Sequence, residues 1–138
     1  MRVMAFDFGR KRIGVAVSDE GARLARPLAL ISAVPRARAM KQIERLVGEY
    51  GPGEMVVGNP KTSAGRGTLS DEVEAFAARL RDLFKINVVL FDETLTTVEA
   101  LGKLREAGVG RKKREARIDQ AAAAVILQDY LECCRAGL

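Results

Sequence analysis

The sequence has 138 residues, a formal net charge of +5 and no histidine. This length predicts a single domain, residues 1–138, that can bury a core of its own. Because histidine is absent, Ser-His-Asp and Cys-His catalysis, histidine general bases and imidazole zinc sites are excluded. Carboxylates, lysines, hydroxyls and metal ions remain as possible catalytic groups.

The excess of basic residues is typical of a protein with a polyanionic partner such as nucleic acid, although the same charge could serve general solubility. The two cysteines, Cys133 and Cys134, are adjacent, so no disulfide framework is expected. The sequence shows no signal peptide and no apolar run of membrane length, and we therefore expect a cytoplasmic protein.

The N-terminal part of the chain predicts an antiparallel meander of three strands. Residues 2–9 and Ile13–Val17 are apolar runs separated by the tight basic turn Gly9–Arg12, which predicts a hairpin. Leu24–Ile31 is the third predicted strand. Pro27 within it favours an edge position, because proline cannot donate a ladder hydrogen bond.

Helices and strands alternate in the middle of the chain. Apolar residues at helical spacing predict helices over Arg36–Tyr50 and Ser70–Phe84, the second with Ser70 as N-cap. Short apolar runs predict strands at Glu54–Gly58 and Asn87–Asp92. The predicted core stripe of the second helix comprises Val73, Phe76, Leu80 and Leu83.

The C-terminal part predicts two more helices. Thr96 and Glu99 form a capping box for a third helix that ends near Gly108. A basic connector, Gly110–Arg117, leads to the final helix, Ile118–Arg135. The order βββαβαβαα predicts an α/β fold, in which a mixed five-stranded sheet carries helices on both faces.

Acidic residues interrupt three apolar segments. Asp7 lies within the first strand, Asp92 and Glu93 follow the apolar run Val88–Phe91 of the fifth, and Asp119 precedes the apolar run of the last helix. An ionised carboxylate in apolar surroundings needs a partner, and oxygen ligands suit magnesium. The pattern therefore predicts one or two Mg²⁺ or Mn²⁺ ions, which could activate water for phosphodiester hydrolysis. The alternative for each acid alone is an ordinary cap, or a salt bridge with Arg117 or a basic residue of the first hairpin.

Two basic segments accompany these acids. The loop at 58–70 carries Lys61 and Arg66 among Gly, Ser and Thr, as phosphate-contacting loops do, but it lacks the Walker pattern G-x-x-x-x-G-K-[ST]. A charge run such as the connector before Asp119 is usually a solvated surface, but its place beside a candidate metal ligand favours phosphate contact. The predicted nucleic-acid-binding residues are Arg10, Lys11, Arg12, Lys61, Arg66, Arg111, Lys112, Lys113 and Arg114.

Four blocks of the sequence resemble the YqgF/RuvX family. These blocks are Asp7–Asp19, Val57–Pro60, Asp92–Thr97 and Arg111–Gln128. The resemblance spans nearly the whole chain and implies a ribonuclease H-like fold. It also implies an acidic active site made by Asp7, by Glu93 or Asp92, and by Asp119. The family is described as a Holliday junction resolvase by likeness to RuvC, and as the nuclease that acts at the 5′ end of pre-16S rRNA.

Within this site, we prefer Glu93 over Asp92, because a longer side chain at the strand exit can reach back to a metal at Asp7. The chain departs from the family pattern at two places. Asn59 stands where leucine is common, and Thr94 stands where arginine is common, which removes one positive charge beside the site. The predicted function is a metal-dependent nuclease for structured nucleic acid, with precursor rRNA preferred to a DNA junction on family grounds.

Two other functions compete with this prediction. An actin-like ATPase also opens with D-x-G on a hairpin, but 138 residues are too few for its second domain. A non-catalytic RNA-binding factor of ribosome assembly would keep the basic segments without needing the acids. Both a monomer and a homodimer are compatible with the sequence.

Overall fold

The computed structural model describes the backbone of residues 1–59, 68–92 and 111–135, and their side chains except at 68–70, 92, 111–120 and 135. The elements are β1 (Val3–Phe8), β2 (Arg12–Ser18), β3 (Ala25–Ser32), α1 (Arg36–Tyr50), β4 (Glu54–Asn59), α2 (Thr68–Phe84), β5 (Asn87–Asp92) and α3 (Arg111–Arg135).

The five strands form one mixed sheet in the order β3-β2-β1-β4-β5. The β1–β2 and β2–β3 pairs are antiparallel, whereas β1–β4 and β4–β5 are parallel. Strand β3 lies at an edge, as Pro27 predicted, and the β2–β3 ladder has an irregularity where Pro27 pairs with Ala16. The predicted mixed α/β sheet is therefore confirmed.

Side chains of β1 alternate between two buried layers. Met4, Phe6 and Phe8 pack with residues of α1 and α2, and the rings of Phe6 and Phe76 meet edge-on at 5.8 Å. Val3 and other residues of the opposite phase pack beneath α3. Full burial of a large apolar side chain stabilises the fold by roughly 1.5–3 kcal/mol. Both faces of the sheet are thus covered by helices, as predicted.

The predicted basic connector is helical, so that prediction is wrong. Helix α3 begins at Arg111 and includes the whole segment up to Arg117. The charge of this segment suggested a loop, but arginine, lysine, glutamate and alanine all have high intrinsic helix propensity. The predicted third helix, residues 96–108, lies outside the described residues.

Smaller differences concern the ends of elements. Helix α2 begins at Thr68, so Ser70 is inside the helix and is not its N-cap. Leu83 is not a core residue, because half of it is exposed and it lines a groove between α1 and α2. The core stripe continues instead from Leu80 to Phe84, four residues on. None of the helices in the described ranges is both long and apolar enough to cross a membrane.

Candidate active site at the carboxyl edge of the sheet

Asp7 lies near the carboxyl end of β1, on the sheet face that packs beneath α3. Val3 and Ala5 belong to the cluster that α3 buries. Because side chains alternate along a strand, Asp7 shares their face. The residue is half-buried. A partly desolvated carboxylate interacts more strongly with a nearby cation than one in bulk water does, so this position suits a metal ligand.

Glycines occupy the positions beside Asp7 on both neighbouring strands. Gly14 is its antiparallel partner on β2. On β4, Val57 pairs with Phe6, so the next residue, Gly58, is level with Asp7. Side chains directly opposite one another in a sheet have Cβ atoms about 4.5–5.5 Å apart. Since neither glycine has a Cβ, the space beside the carboxylate is left to other groups.

Helix α3 packs across the sheet face that carries Asp7. The C-terminal half of the helix lies at the edge of the sheet opposite to Asp7. Gln128 Oε1 accepts a hydrogen bond of 2.9 Å from the backbone N–H of Ala25, where β3 begins. The hydroxyl of Tyr130 donates a 2.7 Å hydrogen bond to Glu54 Oε1, where β4 begins. Strands β1, β3 and β4 all begin at this edge, so the earlier turns of α3 extend toward the edge that carries Asp7.

The backbone of α3 brings position 119 to the edge at which Asp7 lies. Ala123 is fully buried beneath the helix, and Asp119 precedes it by one turn in the same phase. Leu131 and Val3 line one cavity near the opposite edge. From Leu131 back to Asp119 the helix rises roughly 18 Å, and from Val3 to Asp7 the strand rises roughly 13 Å. The two acidic positions therefore lie toward the same edge of the sheet.

The register of β5 places position 92 on the opposite face of the sheet from Asp7. Phe91 packs edge-on against Tyr130 of α3, with ring centroids 5.6 Å apart. Asp92 is one residue further and has the phase of Val88, which is buried on the α1–α2 face. The register position of Asp92 is thus opposite to that of Asp7.

Strand β4 ends at Asn59, whose side-chain amide oxygen is buried. Asn59 pairs with Asp92 across the β4–β5 ladder. Within the described ranges, Asn59 Oδ1 has no hydrogen-bond partner. An unsatisfied buried acceptor costs roughly 1–3 kcal/mol. A donor from elsewhere in the chain, or from a bound molecule, would therefore be stabilising at this end of β4.

The turn that follows Asp7 is tight and basic. A Cβ at Gly9 would lie 2.7 Å from the carbonyl oxygen of Arg12, so the close approach of the backbone requires glycine. Arg10 projects from this turn, and its Nε donates a 2.8 Å hydrogen bond to Glu72 Oε2 on α2. The hairpin turn is thereby connected to a helix 62 residues further along the chain.

Arg36 is a basic residue of this region that the sequence analysis missed. Its guanidinium lies 5.1 Å from the centroid of the Phe8 ring, at the end of β1. Lys11 and Arg12 are exposed on the adjacent turn. One signal was present in the sequence: Arg36 begins a helix whose first turn contains no acidic residue. Its position beside β1 could come only from the packing of α1 on the sheet.

Several predicted site residues are not described in full. Lys61, Arg66 and Glu93 lie outside the described residues. The structure gives backbone alone for Asp92, Arg111, Lys112, Lys113, Arg114 and Asp119. Among the side chains that are described, no three acidic or cysteine residues form a cluster of the kind that binds a metal ion. Asp7 is the single predicted metal ligand within that set.

Comparison with known proteins gives the family. The family model RuvX, described as Holliday junction resolvase, matches residues 1–133. A protein of Chloroflexus aurantiacus is 47% identical over 136 residues, which are 98% of this chain and 89% of the relative. A protein of Geobacillus kaustophilus is 45% identical over 139 residues, which are 98% of this chain and 100% of the relative. Both relatives are named "Putative pre-16S rRNA nuclease".

Solved structures give the fold. RuvC of T. thermophilus in complex with a Holliday junction substrate has a TM-score of 0.59 at 21% identity, covering 96% of both chains. The fowlpox virus Holliday junction resolvase has a TM-score of 0.59 at 13% identity, covering 97% of this chain and 99% of the other. These similarities confirm the predicted ribonuclease H-like fold. With a family match over residues 1–133 and relatives of 45–47% identity over almost the whole chain, the protein belongs to the RuvX family of nucleases, hydrolases that cut nucleic acid.

Proposed function

We propose that this protein is a divalent-metal-dependent nuclease that processes the 5′ end of pre-16S rRNA in the cytoplasm, during ribosome biogenesis. The observation that carries the proposal is the identity of 45–47%, over nearly the whole chain, to relatives named for that activity. The half-buried carboxylate of Asp7 at the carboxyl edge of the sheet has the matching chemistry. In this proposal residues 1–138 act as one nuclease domain.

Three acids would form the active site: Asp7, Glu93 and Asp119. The direction of α3 supports Asp119, because the helix extends from anchors at one edge of the sheet toward the edge of Asp7. The register of β5 supports Glu93, because Phe91 is on the α3 face and continued alternation would return position 93 to it. Asp92 is the alternative ligand.

The same three acids would hold one or two Mg²⁺ or Mn²⁺ ions. A set of carboxylate oxygens fits these hard cations, and the chain has no imidazole to favour softer ones. When bound, the metal would activate the attacking water and stabilise the charge of the phosphate. The chain's own contribution would be to hold Asp7 within the sheet and to leave room beside it, where Gly14 and Gly58 lack side chains.

Basic side chains around this edge would hold the phosphate backbone. We assign this role to Arg10, Lys11, Arg12, Lys61, Arg66, Arg111, Lys112, Lys113 and Arg114, and we add Arg36. The position of Arg36 beside Phe8 and the exposure of Lys11 and Arg12 on the neighbouring turn support the assignment. Contacts of this kind supply affinity that depends on salt concentration.

Resolution of Holliday junctions is the second candidate function, because the matching family model carries that description. A resolvase must cut two strands symmetrically, so it would act as a two-fold homodimer. A nuclease that makes a single cut in a ribosomal precursor can be a monomer. Oligomeric state and substrate are therefore linked.

The test is cleavage of a labelled precursor-16S 5′ fragment and of a mobile four-way DNA junction, each with Mg²⁺, Mn²⁺ or EDTA. Asp7→Asn keeps the size of the side chain but removes its charge, so we expect cleavage to fall by about 10²–10³-fold or more. The melting temperature should stay near that of the wild type. Asp82→Asn, an exposed position on α2, is the matched control and should cleave normally.

The outcomes separate the candidates. RNA cleavage that disappears in EDTA and in the Asp7→Asn variant supports the proposal. Paired symmetric nicks in the junction would favour the resolvase and a dimer. Binding of both substrates without cleavage under any metal would contradict the nuclease, and would favour a non-catalytic assembly factor. A folded Asp7→Asn variant with full metal-dependent activity would rule out the role of Asp7.

A further inference from the structure

An acidic side chain is bonded to one of the basic residues that follow Asp7. The Nε of Arg10 donates to Glu72 Oε2 over 2.8 Å. The two side chains are 57% and 39% exposed, respectively, so the pair lies at the surface and is about half in contact with solvent. Exposed ion pairs contribute little to folding stability. The main consequence of this pair is therefore geometric.

The backbone segments that carry Arg10 and Glu72 are both held in place by other contacts. The turn before Arg10 is held by a 2.9 Å hydrogen bond from Gly9 N–H to the carbonyl of Arg12. One helical turn beyond Glu72, the buried ring of Phe76 packs against Phe8, with centroids 4.9 Å apart. Strand β1 and helix α2 are thus fixed relative to each other at the level of the pair. Glu72 meets a guanidinium whose backbone is only three residues from Asp7.

We propose that Glu72 is a positioning residue, which orients Arg10 for contact with a phosphate of the nucleic acid. This inference rests on the proposed function, because it needs a nucleic acid at the edge of Asp7. The bond to Glu72 uses the Nε–H edge of the guanidinium. A guanidinium forms such bonds in a fixed planar fork, so holding one edge sets the direction of the others.

Simple electrostatics predicts the opposite effect of Glu72. Removing an acid from a surface that binds a polyanion should strengthen binding, since it removes repulsion of the phosphates. If Glu72 positions Arg10, its removal should weaken binding, because Arg10 then loses one of the contacts that orient it before the nucleic acid binds. The sign of the change therefore distinguishes positioning from general repulsion.

The experiment measures binding without cleavage, in EDTA at fixed ionic strength, by fluorescence anisotropy. The probes are a labelled precursor-16S 5′ fragment and a labelled four-way DNA junction. We expect Glu72→Ala to raise Kd for the bound probe about fivefold. Glu72→Gln should stay near the wild type, because its amide oxygen still accepts from Nε. Glu74→Ala removes the same charge from an exposed position on the same helix, and should leave Kd unchanged or lower it.

Two further measurements test the route through Arg10. In an Arg10→Ala background, Glu72→Ala should have no additional effect on Kd. Arg10→Lys, which keeps the charge but loses the planar fork, should weaken binding as Glu72→Ala does. In steady-state cleavage assays with metal present, Glu72→Ala should raise KM and leave kcat nearly unchanged. The reason is that the ion pair contributes to substrate binding.

The inference is overturned if Glu72→Ala binds as tightly as Glu74→Ala, or if it weakens binding equally when Arg10 is absent. Melting curves establish that the compared variants are folded at the assay temperature. A wild-type protein that binds neither probe would instead contradict the proposed function, and the positioning role would fall with it. Failure of the inference alone appears as normal wild-type binding with no difference between the two glutamate variants.

Discussion

At the scale of single residues, the surroundings of Asp7 are defined as much by missing side chains as by present ones. Gly14 and Gly58 stand beside it on β2 and β4, and both are buried within regular strands. Glycine weakens a strand by roughly 0.5–1 kcal/mol relative to alanine, so two glycines at one level of the sheet carry a cost in stability. In the proposed function, the absence of two Cβ atoms beside the carboxylate would leave space for an ion and a phosphate.

We expect Gly14→Ala to reduce activity in a protein that still folds. The added methyl group would project beside Asp7, because cross-strand partners share a face. A small displacement of reacting groups lowers rates by up to about 10²-fold, so a fall in kcat/KM of at least about tenfold is expected. A cooperative thermal transition above the assay temperature should show that the variant still folds. Steady-state cleavage and thermal unfolding check both parts.

Gly48→Ala on α1 is the matched control for this substitution. A Cβ at Gly48 would have no heavy atom within 4 Å, and the position is exposed in the last turn of α1. This variant should be more stable by up to about 1 kcal/mol with unchanged cleavage. Normal cleavage by Gly14→Ala would contradict the reading of that glycine as space for the active site.

At the scale of elements, helix α3 is held at the edge of the sheet that is remote from Asp7. Gln128 bonds to the backbone N–H of Ala25 through Oε1 and to the carbonyl of Arg23 through Nε2. Tyr130 bonds to Glu54, whose other oxygen accepts a 3.1 Å hydrogen bond from Asn87 Nδ2. These bonds set the path along which the earlier turns of α3 reach the edge of Asp7.

Removing the Tyr130 hydroxyl should therefore lower stability in a pH-dependent way. Burial and the hydrogen bond to Glu54 raise the pKa of Tyr130 above its ordinary value of 10.0. A raised pKa means that the folded protein holds the phenolic proton more tightly, so this stabilisation is complete below pH 10 and is lost as the pH rises further. We expect Tyr130→Phe to be less stable by about 1 kcal/mol at pH 7.

The difference between wild type and Tyr130→Phe should shrink above pH 10. Urea unfolding of both proteins between neutral and strongly alkaline pH measures it, with similar m-values as evidence that the same structure unfolds. A difference that stays constant across the alkaline range would mean that the phenolic proton is not involved.

The spacing of apolar residues predicted most elements. In each strand and helix the buried side chains recur at a regular interval, and that interval is visible in the local sequence. The three strands of the meander appear in the structure with boundaries shifted by one residue, and helix α1 has the predicted bounds. The start of α3 did not follow from the sequence, because a basic segment can be solvated equally as a loop or as a helix. The pair of Arg10 with Glu72 could not be predicted either, because it depends on how α2 is rotated against β1.

At the scale of the whole molecule, the net charge of +5 includes basic residues placed against the dipoles of two of the three helices in the described ranges. Helices α1 and α3 both have no acidic residue in their first turn, and both begin with basic residues, Arg36 and Arg111. A positive side chain at a helix N-terminus costs roughly 0.3–1 kcal/mol. A polyanion bound across these helix starts would offset that cost. The charge is thus better explained by a nucleic acid partner than by solubility alone.

Salt dependence of binding measures this arrangement directly. Replacing Arg111, Lys112, Lys113 and Arg114 with glutamine keeps high helix propensity and removes four charges from the start of α3. If each contacts a phosphate, the slope of log Kd against log salt should fall by about three, since each contact contributes roughly 0.7–0.9. Anisotropy titrations of the precursor RNA fragment in EDTA, over a range of potassium chloride, give the slope.

Lys41→Gln with Arg45→Gln is the control for a general change in charge. Both residues are exposed on α1, and Lys41 lines the groove between α1 and α2. This double variant should leave the slope nearly unchanged, because the proposed track of phosphates runs along the edge of Asp7 and the starts of the helices. An equal fall in slope per charge removed in both variants would mean that the protein attracts RNA through its net charge alone. A fall confined to the α3 variant would locate the phosphate backbone along the edge of the sheet at which α3 begins.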